Sequence, residues 1–281
     1  MALKDILVHL DGTPQATARL AVAAGLARRH EAHLTALFVV DVSPPIMGAA
    51  DAGSGAVLAG LIESMRAEAL ASAGTVEAAF NDTLRREGLP GEWRLAEGIT
   101  AELVALHARY ADLAVIGQAD PAAGASTDAG VLSAAIFESG RPVLVVPYAG
   151  SFATVGERVL VGWNAGREAT RAVHDALPLL AKANSVTITA VNPRVGLGAH
   201  GEEPGADIAR HLARHGVMVA VEHTVAPEIG ASDILLNRAS ELSADLLVVG
   251  AYGHSRLREF LLGGVTRSLL REMTVPVLLS H

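Results

Sequence analysis

The sequence predicts an α/β fold made of two tandem, open, five-stranded parallel sheets with helices on both faces. Short apolar runs of strand length alternate with longer stretches of helical period, which is typical of parallel sheets covered by helices. The order of these elements occurs twice along the chain of 281 residues. A domain usually contains roughly 100 to 200 residues, so this length suits two of them. We therefore expect one unit over residues 1–148 and a second over residues 157–281.

The repeat is visible in matched landmarks. Apolar strands end in Asp11 in the first half and in Asn164 in the second, and later strands end in Gly117 and Gly250. The first pair is 153 residues apart and the second 133, so the first half has about 20 additional residues between its landmarks. The excess lies between positions 42 and 90.

The elements follow from the apolar periodicity. In the first half the predicted strands cover 4–10, 33–40, 92–97, 112–117 and 142–147, with a longer helix within 57–87. In the second half the predicted strands cover 158–163, 185–191, 219–225, 245–250 and 275–279, and the helices cover 167–182, 205–215, 230–242 and 264–272. The linker 148–156 is short, so the halves should dock on each other. Positions 44–55 are rich in turn residues and indicate a mobile loop, or alternatively a flap over a site.

Composition excludes several classes of protein. Hydrophobic residues make up 51% and charged residues 19%, which indicates a compact globular chain. The absence of cysteine excludes disulfides, thiolate metal sites and cysteine nucleophiles. A net charge of -8 argues against nucleic acid as the main partner. No apolar run reaches the roughly 18 to 20 residues that span a bilayer, and the N-terminus lacks the features of a signal peptide, so we expect a cytoplasmic protein without a membrane partner.

A glycine pattern follows the fourth strand of the second half. It has the spacing Gly-x2-Gly-x9-Gly and consists of Gly250, Gly253 and the run Gly263, Gly264, Val265 and Thr266, which opens the last helix. Glycines after a strand let the backbone approach a ligand closely. The N-terminus of a helix favours an anion through its free N–H groups and its dipole. Together these features predict a phosphate site, although glycines in such places also serve ordinary turns and helix starts.

Trp163 and Asn164 follow the first strand of the same half. Open α/β sheets bind ligands at the carboxyl ends of their strands, so these residues should lie across the crevice from the glycines. The Asn164 amide suits a ribose hydroxyl or a base edge.

This combination resembles the universal stress protein family, and the resemblance covers essentially the whole chain as two tandem copies of a Rossmann-like domain. Nucleotide-binding members have Gly-x2-Gly-x9-Gly-Ser/Thr and an acidic residue that ends the first strand. The resemblance implies ATP as the ligand, possibly with Mg²⁺, and a role as a stress-response or signalling module. It places the adenine and ribose contacts on Gly162, Trp163, Asn164 and Val191, and the phosphate contacts on Gly250, Gly253, Gly263, Gly264, Val265 and Thr266.

This sequence departs from the family pattern at two positions of the second half. Asn164 replaces the usual Asp, and Gly264 replaces the usual Ser/Thr, which leaves Thr266 as the nearest hydroxyl. A lost hydrogen bond costs about 1 kcal/mol, so the resemblance implies weaker binding rather than none.

The first half keeps the spacing of the motif but not its chemistry. Asp120 stands in the place of Gly253, and Val131 in the place of Gly264. A carboxylate would face any phosphate there, so we do not expect triphosphate binding in this half. Asp11 retains the acidic residue of the family, yet it could also hydrogen-bond the turn that follows its strand.

Two function classes stay open at this point. One is a nucleotide-binding module, and the other is a scaffold that acts through its surfaces without nucleotide. An enzyme has less support, because the chain lacks the Gly-x4-Gly-Lys-Ser/Thr loop and a clear general base, which leaves at most slow ATP hydrolysis. His211 and His215 are spaced for zinc on one helix, but no third ligand is evident, so a polar helix face is the favoured interpretation.

The last strand of each half is strongly apolar. An unpaired apolar edge strand promotes aggregation. Members of the family with one domain pair through this strand, so the resemblance implies that strands 142–147 and 275–279 pair around a pseudo-two-fold axis. The chain would then be an intramolecular pseudo-dimer, with a further homodimer possible.

Overall fold

The computed structural model describes residues 2–42, 55–120, 127–193, 203–251 and 264–281. The expected mobile loop at 44–55 lies almost wholly outside these residues. The elements of the first half are β1 (Asp5–Leu10), α1 (Gln15–His30), β2 (His33–Val40), α2 (Gly55–Glu87), β3 (Gly91–Glu97), α3 (Thr100–Ala108), β4 (Leu113–Gly117), α4 (Thr127–Glu138) and β5 (Val143–Val146).

The second half repeats this order with a shorter segment before its third strand. Its elements are β6 (Arg158–Gly162), α5 (Arg167–Leu180), β7 (Ser185–Val191), α6 (Ala206–Arg214), β8 (Val219–Thr224), α7 (Ala231–Glu241), β9 (Leu246–Gly250), α8 (Gly264–Glu272) and β10 (Val277–Ser280). The excess residues of the first half extend α2, which has 33 residues.

The ten strands form one sheet in the order β3-β2-β1-β4-β5-β10-β9-β6-β7-β8. Within each half the recorded neighbours are parallel, whereas β5 and β10 are antiparallel, with Leu144 opposite Leu278. The two expected five-stranded sheets are therefore joined edge to edge. This confirms the expectation that the last strands of the two halves pair.

Helices cover both faces of the sheet because its central strands are buried on both sides. On one face α1, α5 and α6 contribute to a core that also includes Phe80 of α2. On the other face α3, α4, α7 and α8 pack over alternate residues of the same strands. No described helix is both long and apolar enough to cross a membrane.

The direction of the strand order reverses between β6 and β9. From β6 the chain continues outward through β7 and β8, and then returns to β9 on the other side of β6. Such a reversal leaves a crevice at the carboxyl ends of the two strands, because the helices that follow them lie on opposite faces. The fold therefore places the residues after Gly162 and Gly250 at one opening.

Candidate functional site

A cavity of about 280 Å³ lies at this opening. Eight of the ten site residues predicted from the sequence line it, namely Gly162, Trp163, Asn164, Val191, Gly250, Gly264, Val265 and Thr266. The other two, Gly253 and Gly263, lie outside the described residues. The structure thus gathers residues from three strand ends and one helix start around a single space.

The lining also includes residues that the sequence did not single out. They are Ala169, Thr189, Ala231, Leu235, Val249 and Leu269. Most are apolar side chains of neighbouring helices and strands. In the sequence these residues are marked only as buried positions of amphipathic helices and strands, and every other core residue has the same pattern. The cavity therefore has a mainly apolar interior that also includes the buried side chains of Thr189 and Thr266.

Asn164 is held by the turn that leads into α5. Its Oδ1 accepts a hydrogen bond from the backbone N–H of Gly166 at 2.8 Å. The side chain is exposed, and among the described residues its Nδ2 has no hydrogen-bond partner. Since Nδ2 is a donor, Asn164 presents two N–H bonds at the mouth of the cavity.

Gly250 is required by packing as well as by its position beside the cavity. A Cβ at this residue would lie 2.5 Å from the backbone nitrogen of Ala169 and 2.5 Å from the backbone carbonyl carbon of Glu168. The first turn of α5 therefore rests on the end of β9. This close packing of Gly250 against helix α5 was not predicted from the sequence, which indicated either a ligand contact or an ordinary turn.

Gly264 is surrounded by open space. Among the described residues, leaving aside its chain neighbours and the backbone of its own helix, no atom lies within 4 Å of the place where its Cβ would stand. The adjacent Val265 is 46% exposed, whereas Thr266 is buried. The start of α8 thus offers an open glycine at the cavity, and the Thr266 hydroxyl sits within the wall.

A polar network supports the inner wall. The Thr189 hydroxyl donates to Oε1 of Glu222 at 2.6 Å, and the Arg238 guanidinium donates to both Glu222 oxygens at 2.7 and 2.6 Å. The hydrogen bonds from Arg238 lower the pKa of Glu222 and keep it ionised. This network fixes β7, β8 and α7 around the cavity.

A family model described as the universal stress protein family matches residues 156–281. The second half of the chain is therefore similar to the universal stress protein family. The described residues that line the cavity all fall inside the matched segment.

Individual proteins are also similar to this chain in sequence or in structure. A universal stress protein of Synechocystis sp. is 38% identical over 48 residues, which is 17% of this chain and 17% of that protein. The aligned region thus spans about a sixth of that curated relative. A crystal structure of a universal stress protein from Archaeoglobus fulgidus matches 98% of this chain and 96% of its own, at 17% identity and a TM-score of 0.70. At this identity the match shows a shared fold over both halves.

A further solved structure is described as a universal stress protein in complex with cAMP. It covers 44% of this chain and 97% of its own, at 25% identity and a TM-score of 0.35. The ligand in that description is a property of that protein.

The equivalent opening of the first half is nearly closed. Its remaining volume is about 30 Å³, roughly enough for one water molecule. The side chain of Arg19, which is 5% exposed, fills the space and pairs with Asp11 at 2.6 Å. The Arg19 side chain lies about 3.1 Å from the place of a Gly117 Cβ. The second half has Ala172 at the matching position of its helix, and this short side chain leaves its cavity open.

Hydrogen bonds of Asp11, Gln15 and Asp120 also hold the first opening closed. The Asp11 carboxylate accepts a hydrogen bond from the backbone N–H of Thr13 at 3.0 Å, as the turn interpretation expected. The Gln15 amide donates to Asp120 at 3.1 Å. The Arg19 guanidinium lowers the pKa of Asp11, although burial opposes this shift. Asp120 and Val131 both line this closed space, together with a cation that the sequence analysis did not anticipate.

His211 of α6 and His215, which follows the end of that helix, do not form a metal site among the described residues. His211 and His215 have ring centroids 4.8 Å apart, and His174 of α5 lies 5.0 Å from His211. Within the described parts of the chain, no group of three potential ligands is arranged to hold a metal ion. The rings pack against one another between α5 and α6.

Proposed function

We propose that the second half binds one adenine nucleotide, with ATP as its ligand, and that the protein acts as a nucleotide-responsive stress or signalling module. The observation that carries this proposal is the 280 Å³ cavity at the crevice between β6 and β9. Its volume is near the lower end of the roughly 300 to 1,000 Å³ typical of small-molecule sites. A base with its ribose suits such a space, while the phosphates would extend outward along the start of α8.

The chemistry of the lining supports the same ligand. The apolar side chains Val191, Leu235 and Leu269 suit the faces of a purine ring. The Asn164 amide suits a ribose hydroxyl. The first turn of α8 directs backbone N–H groups and the positive end of a helix dipole toward a phosphate.

Mg²⁺ would be held mainly by phosphate oxygens and water. The described residues that line the cavity include no carboxylate, and Thr266 is the side-chain hydroxyl of α8 among them. Mg²⁺ commonly keeps several waters and binds through substrate phosphates, so this donor set fits a nucleotide-bound ion.

One nucleotide per chain is proposed because the two openings differ. Arg19 and Asp11 fill the first opening, whereas the second is lined by small and apolar residues. Calorimetric titration with ATP and Mg²⁺ should therefore give one site per chain. Two equal sites would contradict the proposal, and multiple turnovers in a phosphate-release assay would favour an ATPase instead.

A charge placed at Val265 tests where the phosphates lie. Val265 is half-exposed on the cavity rim, so Val265→Glu adds a carboxylate beside the start of α8 without crowding the core. An acidic residue near a helix N-terminus stabilises the helix, so the fold should persist. We expect Val265→Glu to weaken ATP at least tenfold and to leave adenosine binding nearly unchanged.

The neutral isostere Val265→Gln is the matched control and should retain most of the ATP affinity. Gly253→Asp, which copies Asp120 of the first half, should act like Val265→Glu. Equal ATP affinities for the Glu and Gln variants would place the phosphates elsewhere.

A further inference from the structure

Helix α8 is held at its far end by the first half of the chain. Gln118 follows β4 and is 6% exposed. Its Nε2 donates to the backbone carbonyl of Leu270 at 2.8 Å and to that of Arg271 at 3.2 Å. The last carbonyls of a helix have no partner within the helix. The Gln118 amide therefore caps the C-terminal end of α8 from the other half.

The same side chain is anchored within the first half. Gln118 Oε1 accepts a hydrogen bond from the backbone N–H of Tyr148 at 3.1 Å, and its own backbone N–H donates to Val146 at 2.8 Å. Both amide N–H bonds and the carbonyl are used, so the side chain has one orientation. Any movement of α8 relative to β5 would break at least one of these bonds.

A second contact reaches the other side of the cavity. The ring of Phe137 on α4 meets the ring of His281 edge to face, with centroids 4.9 Å apart. His281 donates through Nδ1 to the carbonyl of Ala251 at 3.1 Å. Ala251 follows Gly250, which lines the cavity. The first half thus contacts the far end of the helix that begins at Gly264 and, through His281, is linked to the residue after Gly250.

We infer that Gln118 is a positioning residue for the nucleotide site, because it fixes α8 from the first half and thereby sets the place of Gly264, Val265 and Thr266. This inference rests on the proposed function. Helix α8 has nine residues and is about 13 Å long at 1.5 Å per residue. This short helix connects its C-terminal end, which Gln118 caps, to its N-terminal end at the rim of the cavity. Ordering of one end of α8 therefore stabilises the other end.

The inference makes the two halves thermodynamically coupled. If the Gln118 bonds favour the arrangement of α8 that binds nucleotide, then nucleotide must strengthen those bonds by the same factor. Binding of ATP in the second half should therefore slow hydrogen exchange at Tyr148 in the first half. A residue that supported only the fold would not transmit this change.

Two variants and one matched control test the inference in the full chain. Gln118→Ala removes both caps, and Gln118→Glu places carboxylate oxygens against the carbonyls of Leu270 and Arg271. Gln15→Ala removes a side-chain amide of the first opening whose bond to Asp120 does not reach α8. Affinity for ATP with Mg²⁺ is measured by calorimetry, and backbone exchange by mass spectrometry.

We expect ATP affinity to fall about five- to tenfold in Gln118→Ala, further in Gln118→Glu, and little in Gln15→Ala. In the wild type, ATP should slow exchange of peptides that contain Tyr148 as well as those of α8. In Gln118→Ala the effect at Tyr148 should disappear while α8 still responds. Unchanged affinity with a retained effect at Tyr148 would overturn the inference.

Failure of the proposed function is distinguishable from failure of the inference. A wild-type protein that binds no ATP refutes the nucleotide proposal and, with it, the role of Gln118 in binding. Exchange of α8 without ligand then decides whether Gln118 positions the helix at all. If α8 exchanges faster in Gln118→Ala but not in Gln15→Ala, Gln118 positions the helix even without nucleotide. Equal exchange of α8 in the two variants would refute this role.

Discussion

At the residue scale, Gly250 has no room for even one methyl group. The atoms that a Cβ would meet belong to the backbone at Glu168 and Ala169. A flexible side chain can swing away from a new neighbour, but the first turn of α5 cannot move without disturbing its packing on β9. Gly250 is therefore a structural requirement of this site whether or not a ligand is bound.

We predict that Gly250→Ala lowers the free energy of unfolding by about 1 to 3 kcal/mol, as is typical of overpacking. Urea denaturation measures the change. Gly264→Ala is the matched control, because its new Cβ meets no atom of another described element within 4 Å. Alanine is the better helix former, so the control should be neutral or more stable by up to about 1 kcal/mol. Equal destabilisation of both variants would contradict this explanation.

His9 is a buried ionisable residue behind the closed first opening. It is 7% exposed, and burial together with the charge of Arg19 lowers its pKa to about 4. In the unfolded chain its pKa is near 6.5. The unfolded state therefore takes up a proton first as the pH falls, and stability that is present above pH 6.5 is lost on the way to pH 4.

We predict that His9 accounts for a loss of about 2 kcal/mol in unfolding free energy between pH 7 and pH 5. Urea titrations at several pH values give the slope. In His9→Gln the loss over this interval should be smaller by about that amount, whatever the stability of the variant at pH 7. An identical slope in the two proteins would show that His9 does not carry the effect.

At the element scale, the sequence predicted the strands and the helices of the second half closely. The helices expected at 230–242 and 264–272 are Ala231–Glu241 and Gly264–Glu272 in the structure. Each strand is an apolar run bounded by polar or turn residues, and this pattern is local. The long helix expected within 57–87 is α2, which fills that whole interval.

Contacts between distant elements were not predictable in the same way. Arg19 closes the first opening by meeting Asp11 and Gly117, and Gln118 meets Leu270, which is 152 residues away. Such pairs depend on how helices lie on the sheet, and neither residue has a sequence pattern that marks its partner. The glycine motif predicted one side of the cavity because its spacing is local in the sequence. Thr189, Glu222 and Arg238 were not predicted, because they come together only in the folded chain.

At the scale of the whole molecule, the halves share more than the pairing of β5 with β10. Arg29 at the end of α1 donates to the carbonyl of Lys182, and the Lys182 ammonium donates to the carbonyl of Arg29. These residues are 153 apart, the same offset as Asp11 and Asn164. Equivalent residues thus exchange hydrogen bonds across a pseudo-two-fold axis, as they would in a symmetric dimer.

We predict that the halves do not persist as separate monomers. Fragments 1–150 and 157–281 would each expose one strand of the central pair, and all four residues of β5 and of β10 are buried in the intact chain. An exposed apolar edge strand can form hydrogen bonds with an edge strand of another chain, which promotes aggregation. Each fragment alone should aggregate or self-associate, and co-expression should give a soluble one-to-one complex.

Size-exclusion chromatography with light scattering separates these outcomes, with the intact chain as the reference. The division at residues 148 and 157 is itself a proposal, and a folded complex of the two fragments would support it. Soluble, stable monomers of both fragments would contradict the structural dependence argued here. They would also weaken the coupling through Gln118, because a second half that keeps full ATP affinity alone does not need a cap on α8 from the first.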